Sequence, residues 1–165
     1  MPGDRYHQDG FNTLEIPADS AATLTVNGST AHRIWLYEIN MGNVGTPADL
    51  TSMYLIGQTT DAGASGGAIT PTLLSDAAGQ AARSVFHSNL TTEPTYVNTS
   101  TTQGLAVVAD GDLLRVPLNH RATYRWVAPP GGEFVAPATT TAGFGGKADH
   151  ASANTDYMIG FHWIE

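Results

Sequence analysis

Six histidines, His7, His32, His87, His120, His150 and His162, are the side chains best suited to chemistry near neutral pH, since the chain has no cysteine. Imidazole binds metal ions and carries protons, but both uses need a second group close by. None of the six stands at HxH, HxxxH or HExxH spacing, the patterns that place two ligands on one face of a strand or helix. Asp4, His7 and Asp9 offer one local metal clasp, and Asp149 with His150 another. Groupings of this kind arise readily by chance in polar segments, so no metal or other cofactor is expected. Nucleophilic chemistry lacks its marks as well. There is no GxSxG elbow, and Ser65-Gly66-Gly67 lacks the lysine of a phosphate loop. Asp110 and Asp112 flank Gly111, where a turn accounts for both carboxylates. The chain is expected not to be an enzyme.

Arginine is the other candidate. Residues 113–137 read LLRVPLNHRATYRWVAPPGGEFVAP and hold Arg115, His120, Arg121 and Arg125, the one concentration of positive charge. The chain as a whole carries −8, with 15 acidic against 7 basic residues, so a broad nucleic-acid-binding face is not expected. Six of the seven basic residues are arginine, and Lys147 is the single lysine. Charged residues make up only 13%, against about 25% in ordinary soluble domains. Lysine covers free surface, whereas the guanidinium fork keeps its hydrogen bonds when partly dehydrated and is favoured at interfaces. Arg115, Arg121 and Arg125, with Asp4, Arg5 and His7 of the N-terminal segment, are therefore the candidate protein interface. The same arginines have an alternative, pairing with carboxylates on neighbouring strands of their own chain.

Strands must position these groups. In 113–127 apolar and polar residues alternate with a period of two, the period of a strand. Leu114, Val116 and Leu118 share a face opposite Arg115. Ala122, Tyr124 and Trp126 share a face opposite Arg121, Thr123 and Arg125, and Pro129-Pro130-Gly131-Gly132 ends the run. Further strands are expected at 13–16, 22–26, 33–41, 52–58, 84–89, 105–108, 133–136 and 156–164. Asn27-Gly28 reads as a hairpin turn. In RIWLYEINM, strict alternation puts Ile34, Leu36, Glu38 and Asn40 on one face and Trp35, Tyr37, Ile39 and Met41 on the other. The final strand is apolar on both faces, which places it centrally in its sheet or against a neighbour. Ser75–Arg83 is the one helical candidate, with Ser75 or Asp76 as N-cap. Stretches 59–70, 91–104 and 139–155, rich in Thr, Ser, Ala and Gly, read as long loops and contact surfaces.

These elements predict an all-β fold: a jelly-roll-like antiparallel β-sandwich of eight to ten short strands with at most one short helix. Residues 1–12 read as a flexible polar arm and 13–165 as a single domain. No apolar run is long enough to span a membrane, and the N-terminal ten residues have no apolar segment typical of a secretory signal.

NHRATYRWVAPPGGEFVAP, the Gly-rich GFGGK at 143–147 and the C-terminal YMIGFHWIE together resemble the small β-sandwich structural proteins of tailed bacteriophages. Capsid decoration, or cement, proteins fit best in size and composition. The resemblance covers about a third of the chain and transfers no functional residue position by position. It implies a virion protein, assembled in the host cytoplasm, that binds the major capsid protein as a homotrimer on the capsid surface, with neither nucleic acid nor membrane as partner. A tail, neck or baseplate component is the alternative. A carbohydrate-binding sandwich, with Trp35, Trp126 and Trp163 as stacking platforms, is a third reading.

Overall fold

A computed structural model describes residues 5–12, 24–44, 49–59, 68–69, 72–74, 85–88, 112–140, 142–149 and 156–165. The fold is all-β, as expected. In chain order the strands are β1 (Arg5–Asn12), β2 (Leu24–Asn27), β3 (Ile34–Val44), β4 (Thr51–Thr59), β5 (Ala68–Ile69), β6 (Thr72–Leu73), β7 (Val85–Ser88), β8 (Asp112–Asn119), β9 (Thr123–Val127), β10 (Phe134–Ala136), β11 (Gly143–Asp149) and β12 (Asp156–Ile164). The candidate helix at 75–83 and the candidate strands at 13–16 and 105–108 lie outside the described residues.

Two antiparallel sheets pack face to face. The first runs β10-β3-β12-β1-β6, with β9 also on β3; the second runs β5-β7-β2-β11-β4-β8. Consecutive strands change sheet repeatedly, which closes the sandwich in a jelly-roll-like manner. Asn27-Gly28 is therefore not a hairpin turn: β2 belongs to the second sheet and β3 to the first. Between the sheets, Leu36, Ile39, Phe161 and Trp163 of the first meet Val26, Tyr54, Ile56 and Phe144 of the second, all fully buried. The C-terminal strand β12 is central, between β1 and β3, and buries Tyr157, Ile159, Phe161 and Trp163.

Three further expectations are corrected. The first concerns the arm. Residues 5–12 form β1 and pair with β12 from Arg5↔Ile164 to Asn12↔Tyr157. Tyr6 anchors this strand, buried and stacked on Trp163 at 5.9 Å between ring centroids. The ladder to β12 and this buried ring together tie a polar segment into the sheet.

The second concerns the loop at 139–155. Its Gly-rich part is β11, an interior strand of the second sheet. Glycine serves close packing there. A Cβ on Gly143 would lie 1.8 Å from the Val26 carbonyl oxygen, and one on Gly146 would press on Ile159 and Ile56, each at 3.1 Å.

The third concerns β3. Ile34, Leu36, Ile39 and Met41 are all buried, so the inward face changes phase between Leu36 and Ile39. The cause is a β-bulge: His162 pairs with Glu38 but Trp163 pairs with Leu36, leaving Tyr37 as the extra residue. Strict alternation would have buried a carboxylate and an amide beside Ile34 and Leu36, at high desolvation cost. One inserted residue turns both outward and returns Ile39 and Met41 to the core.

Candidate functional site

The bulge assembles a polar group on the outer face of the first sheet. His7, His162 and Glu38 lie in one row across β1, β12 and β3, through the pairs His7↔His162 and His162↔Glu38. The two imidazole centroids are 4.3 Å apart, with the rings tilted at 46°. Tyr37, turned out by the bulge, meets His162 edge-on at 6.0 Å. Asn40 Nδ2 donates to Glu38 Oε1 at 3.3 Å and lies 3.2 Å from His162 Nε2. A carboxylate accepts only, so it fixes which end of the amide faces this way. The remaining amide N–H then donates to His162 Nε2, which places the imidazole proton on Nδ1.

Arg125 closes the row from β9. Its Nε and Nη2 donate to Glu38 Oε1 and Oε2 at 2.7 and 2.8 Å, a bidentate pair. The Glu38 side chain is 12% exposed and that of Arg125 64% exposed. The carboxylate is thus covered while the guanidinium projects. The Arg125 hydrogen bonds hold the Glu38 carboxyl below its ordinary value, outweighing the opposing effect of burial, and the Asn40 hydrogen bond adds to the lowering. Burial pushes the Tyr37 hydroxyl up, although the positive charge of Arg5 opposes this.

A projecting loop adjoins the row. β9 and β10 lie along the same edge of β3, β9 against 38–42 and β10 against 34–36. They are one strand interrupted by residues 128–133. Pro-Pro-Gly-Gly is thus an excursion from a strand that resumes beyond it. Gly132 N donates to Pro129 O at 2.8 Å, with Gly131 at φ +80°. Pro130 at the second position and a positive-φ glycine at the third make this a type II turn. Trp126 and Phe134 stack across its base, centroids 4.5 Å apart and planes 2° apart. Outside that base, Val127 is 51% and Val135 42% exposed, flanking the exposed Pro129 and Pro130.

The six expected interface residues divide. Arg5, His7 and Arg125 belong to the first sheet, the last two within the polar row. Arg121 lies in the turn between the sheets, 3.8 Å from Asp49, with both side chains largely exposed. Arg115 is half-buried on β8 in the second sheet, opposite Leu55. Asp4 lies outside the described residues. The three arginines of 113–137 therefore do not share one sheet surface, because the chain changes sheet at Asn119–Ala122. Arg125 and Arg121 find carboxylates in their own chain.

Sequence reasoning missed Tyr37, Glu38, Asn40 and His162. A signal existed in the polar Glu38 and Asn40 placed in phase with Ile34 and Leu36, a conflict that a bulge resolves. The metal clasp suggested by Asp4, His7 and Asp9 falls partly outside the described residues. Among those described, no three His, Asp or Glu side chains converge as a metal-binding group.

One further pair carries chemistry-bearing atoms. Ser52 Oγ and His120 Nε2 lie 2.6 Å apart, both residues buried. His120 N donates to Leu50 O, and Asn119 Nδ2 to Asp49 Oδ1. These bonds staple the β8–β9 crossing to the start of β4, which gives the pair a structural task. Of the tryptophans, Trp163 is fully buried, Trp126 is covered on one face by Phe134, and Trp35 is half-buried. No protein family, characterised protein or solved structure matches the chain.

Proposed function

We propose that this chain is a non-enzymatic structural protein of a virion, a decoration protein that binds the capsid shell of a tailed bacteriophage as an oligomer. The observation that carries the reading is the apolar rim at the edge of the first sheet. Val127 and Val135 stand exposed on either side of Pro129-Pro130, next to the stacked Trp126–Phe134 base. Exposed aliphatic side chains on a preorganised edge suit burial against protein, because little conformational entropy remains to be lost. Arg125 projects beside them with its charge already balanced by Glu38, so covering it leaves no unpaired ion.

The mechanism is additive binding. Each copy buries part of this rim against a neighbouring copy or the major capsid protein. An interface of about 1,600 Å² per contact is of ordinary size. Oligomerisation multiplies weak contacts through effective concentration, and a shell so bound resists the internal pressure of packaged DNA. The homotrimer, the capsid-surface location and the major capsid protein as partner come from the resemblance of residues 119–137, 143–147 and 156–165.

Sedimentation velocity on the purified chain, followed by cosedimentation with undecorated heads of the phage that encodes it, tests the proposal. The expected result is a discrete oligomer that saturates the heads at a fixed ratio. A chain that stays monomeric and leaves heads bare overturns it. Labelling confined to tails assigns the protein to the tail, neck or baseplate instead.

A further inference from the structure

We propose that His7 and His162 form a binding site for a late first-row divalent metal ion, Cu²⁺, Ni²⁺ or Zn²⁺, on the outer face of the first sheet. The two imidazoles lie on adjacent strands in direct register, with ring centroids 4.3 Å apart. Ladder pairing on both sides of β12 fixes their backbones. Imidazole nitrogen selects these metals over magnesium and calcium, which take oxygen ligands. Two histidines supply two ligands, and water fills the remaining positions on the solvent side.

Asn40 donates to His162 Nε2, so the lone pair there opens to a cation only once that bond is given up. A cation that takes this lone pair displaces one amide hydrogen bond, and Asn40 keeps its other bond, to Glu38. Glu38 is next in the row but is held bidentately by Arg125. The site thus has a carboxylate in reserve, kept from the metal by a guanidinium on β9. This inference rests on the sheet geometry alone and does not depend on the capsid reading.

The test titrates the full chain separately with CuCl₂, NiCl₂, ZnCl₂ and MgCl₂ in metal-free buffer by calorimetry. One equivalent of Cu²⁺ is expected to bind, more tightly than Ni²⁺ or Zn²⁺, with no heat from Mg²⁺. His7→Ala and His162→Ala each weaken binding by about tenfold or more, and His32→Ala leaves it unchanged. Arg125→Ala frees Glu38 and tightens binding by about threefold or more, a gain that adding Glu38→Gln removes. Histidine resonances of the unmutated chain give an independent readout if a variant fails to fold. Substoichiometric Cu²⁺ broadens His7 and His162 first. Unchanged affinity in either His7→Ala or His162→Ala, or broadening that falls first on other histidines, overturns the site. Unchanged affinity in Arg125→Ala overturns the role of Glu38.

Discussion

Glu38 shows how one residue's position decides what its neighbours can do. Its carboxylate balances Arg125, orients Asn40 and through it sets the tautomer of His162. Its folded acidity lies below the ordinary value of 4.5, first because of the Arg125 hydrogen bonds. The stabilisation from the ionised group is therefore complete above that ordinary value and is lost as pH falls through the depressed folded value. Urea midpoints of wild type and Glu38→Gln should differ most at about pH 7 and converge as pH falls through the depressed folded value, where the carboxyl becomes uncharged. A midpoint difference that stays constant over that range would show that the ionised carboxylate adds nothing. Tryptophan positions give a second contrast at this scale. Trp163 is fully buried, so Trp163→Ala should cost about 3–5 kcal/mol. Trp126, on the apolar face of 122–126, packs against the core but is only partly buried, at the base of a loop. Trp126→Ala should cost clearly less, mainly the ring pairing of about 0.5–1.5 kcal/mol and some apolar area. Chemical denaturation of both variants checks the order.

At the scale of elements, most strands were legible in the sequence, because a period of two is a local signal. YMIGFHWIE reads directly as a central strand, and TYRWV reads with Tyr124 and Trp126 toward the core. What was not legible depended on partners distant in the chain. The bulge in β3 exists only against β12, more than a hundred residues later, and the His7–His162 pair joins opposite ends of the chain. Gly143 and Gly146 read as loop because the packing that excludes a side chain at each comes from β2, β4 and β12. The bulge makes a pointed prediction. Deleting Tyr37 leaves I-W-L-E-I-N-M, in which Ile34, Leu36, Ile39 and Met41 alternate without interruption. The deletion removes the Ala128 N–H···Tyr37 O bond at 2.8 Å, which costs about 0.5–1.5 kcal/mol. The shortened chain should keep its β-sheet circular dichroism and unfold cooperatively at a slightly lower temperature. Deleting Trp35 instead, with the bulge retained, turns Ile34 outward and should lower the melting temperature far more. Equal losses in the two deletions would mean that the bulge is needed for more than phase.

For the whole molecule, charge and apolar rim act in opposite directions on self-association. Each copy carries −8, so two copies repel at low ionic strength. Salt shortens that repulsion to about 10 Å at 0.1 M and leaves apolar contact intact. Association through Val127 and Val135 should therefore strengthen as salt rises from very low levels, opposite to an interface built on arginine–carboxylate pairs between copies. That opposite sign separates the rim from the arginine cluster as the contact, a question the sequence left open because Arg125 has its partner at Glu38, on another strand. Both valines are exposed, so replacing each with Asp should change stability by no more than about 0.5 kcal/mol. The same pair of substitutions places two carboxylates where a partner would cover them, at a desolvation cost that a modest interface cannot offset. Sedimentation velocity across a salt series should then show oligomer in wild type and monomer in Val127→Asp/Val135→Asp, with unchanged melting temperature. An oligomer that persists in the variant, or that dissociates in wild type as salt is added, would move the contact away from the rim and toward charged surface elsewhere on the sandwich.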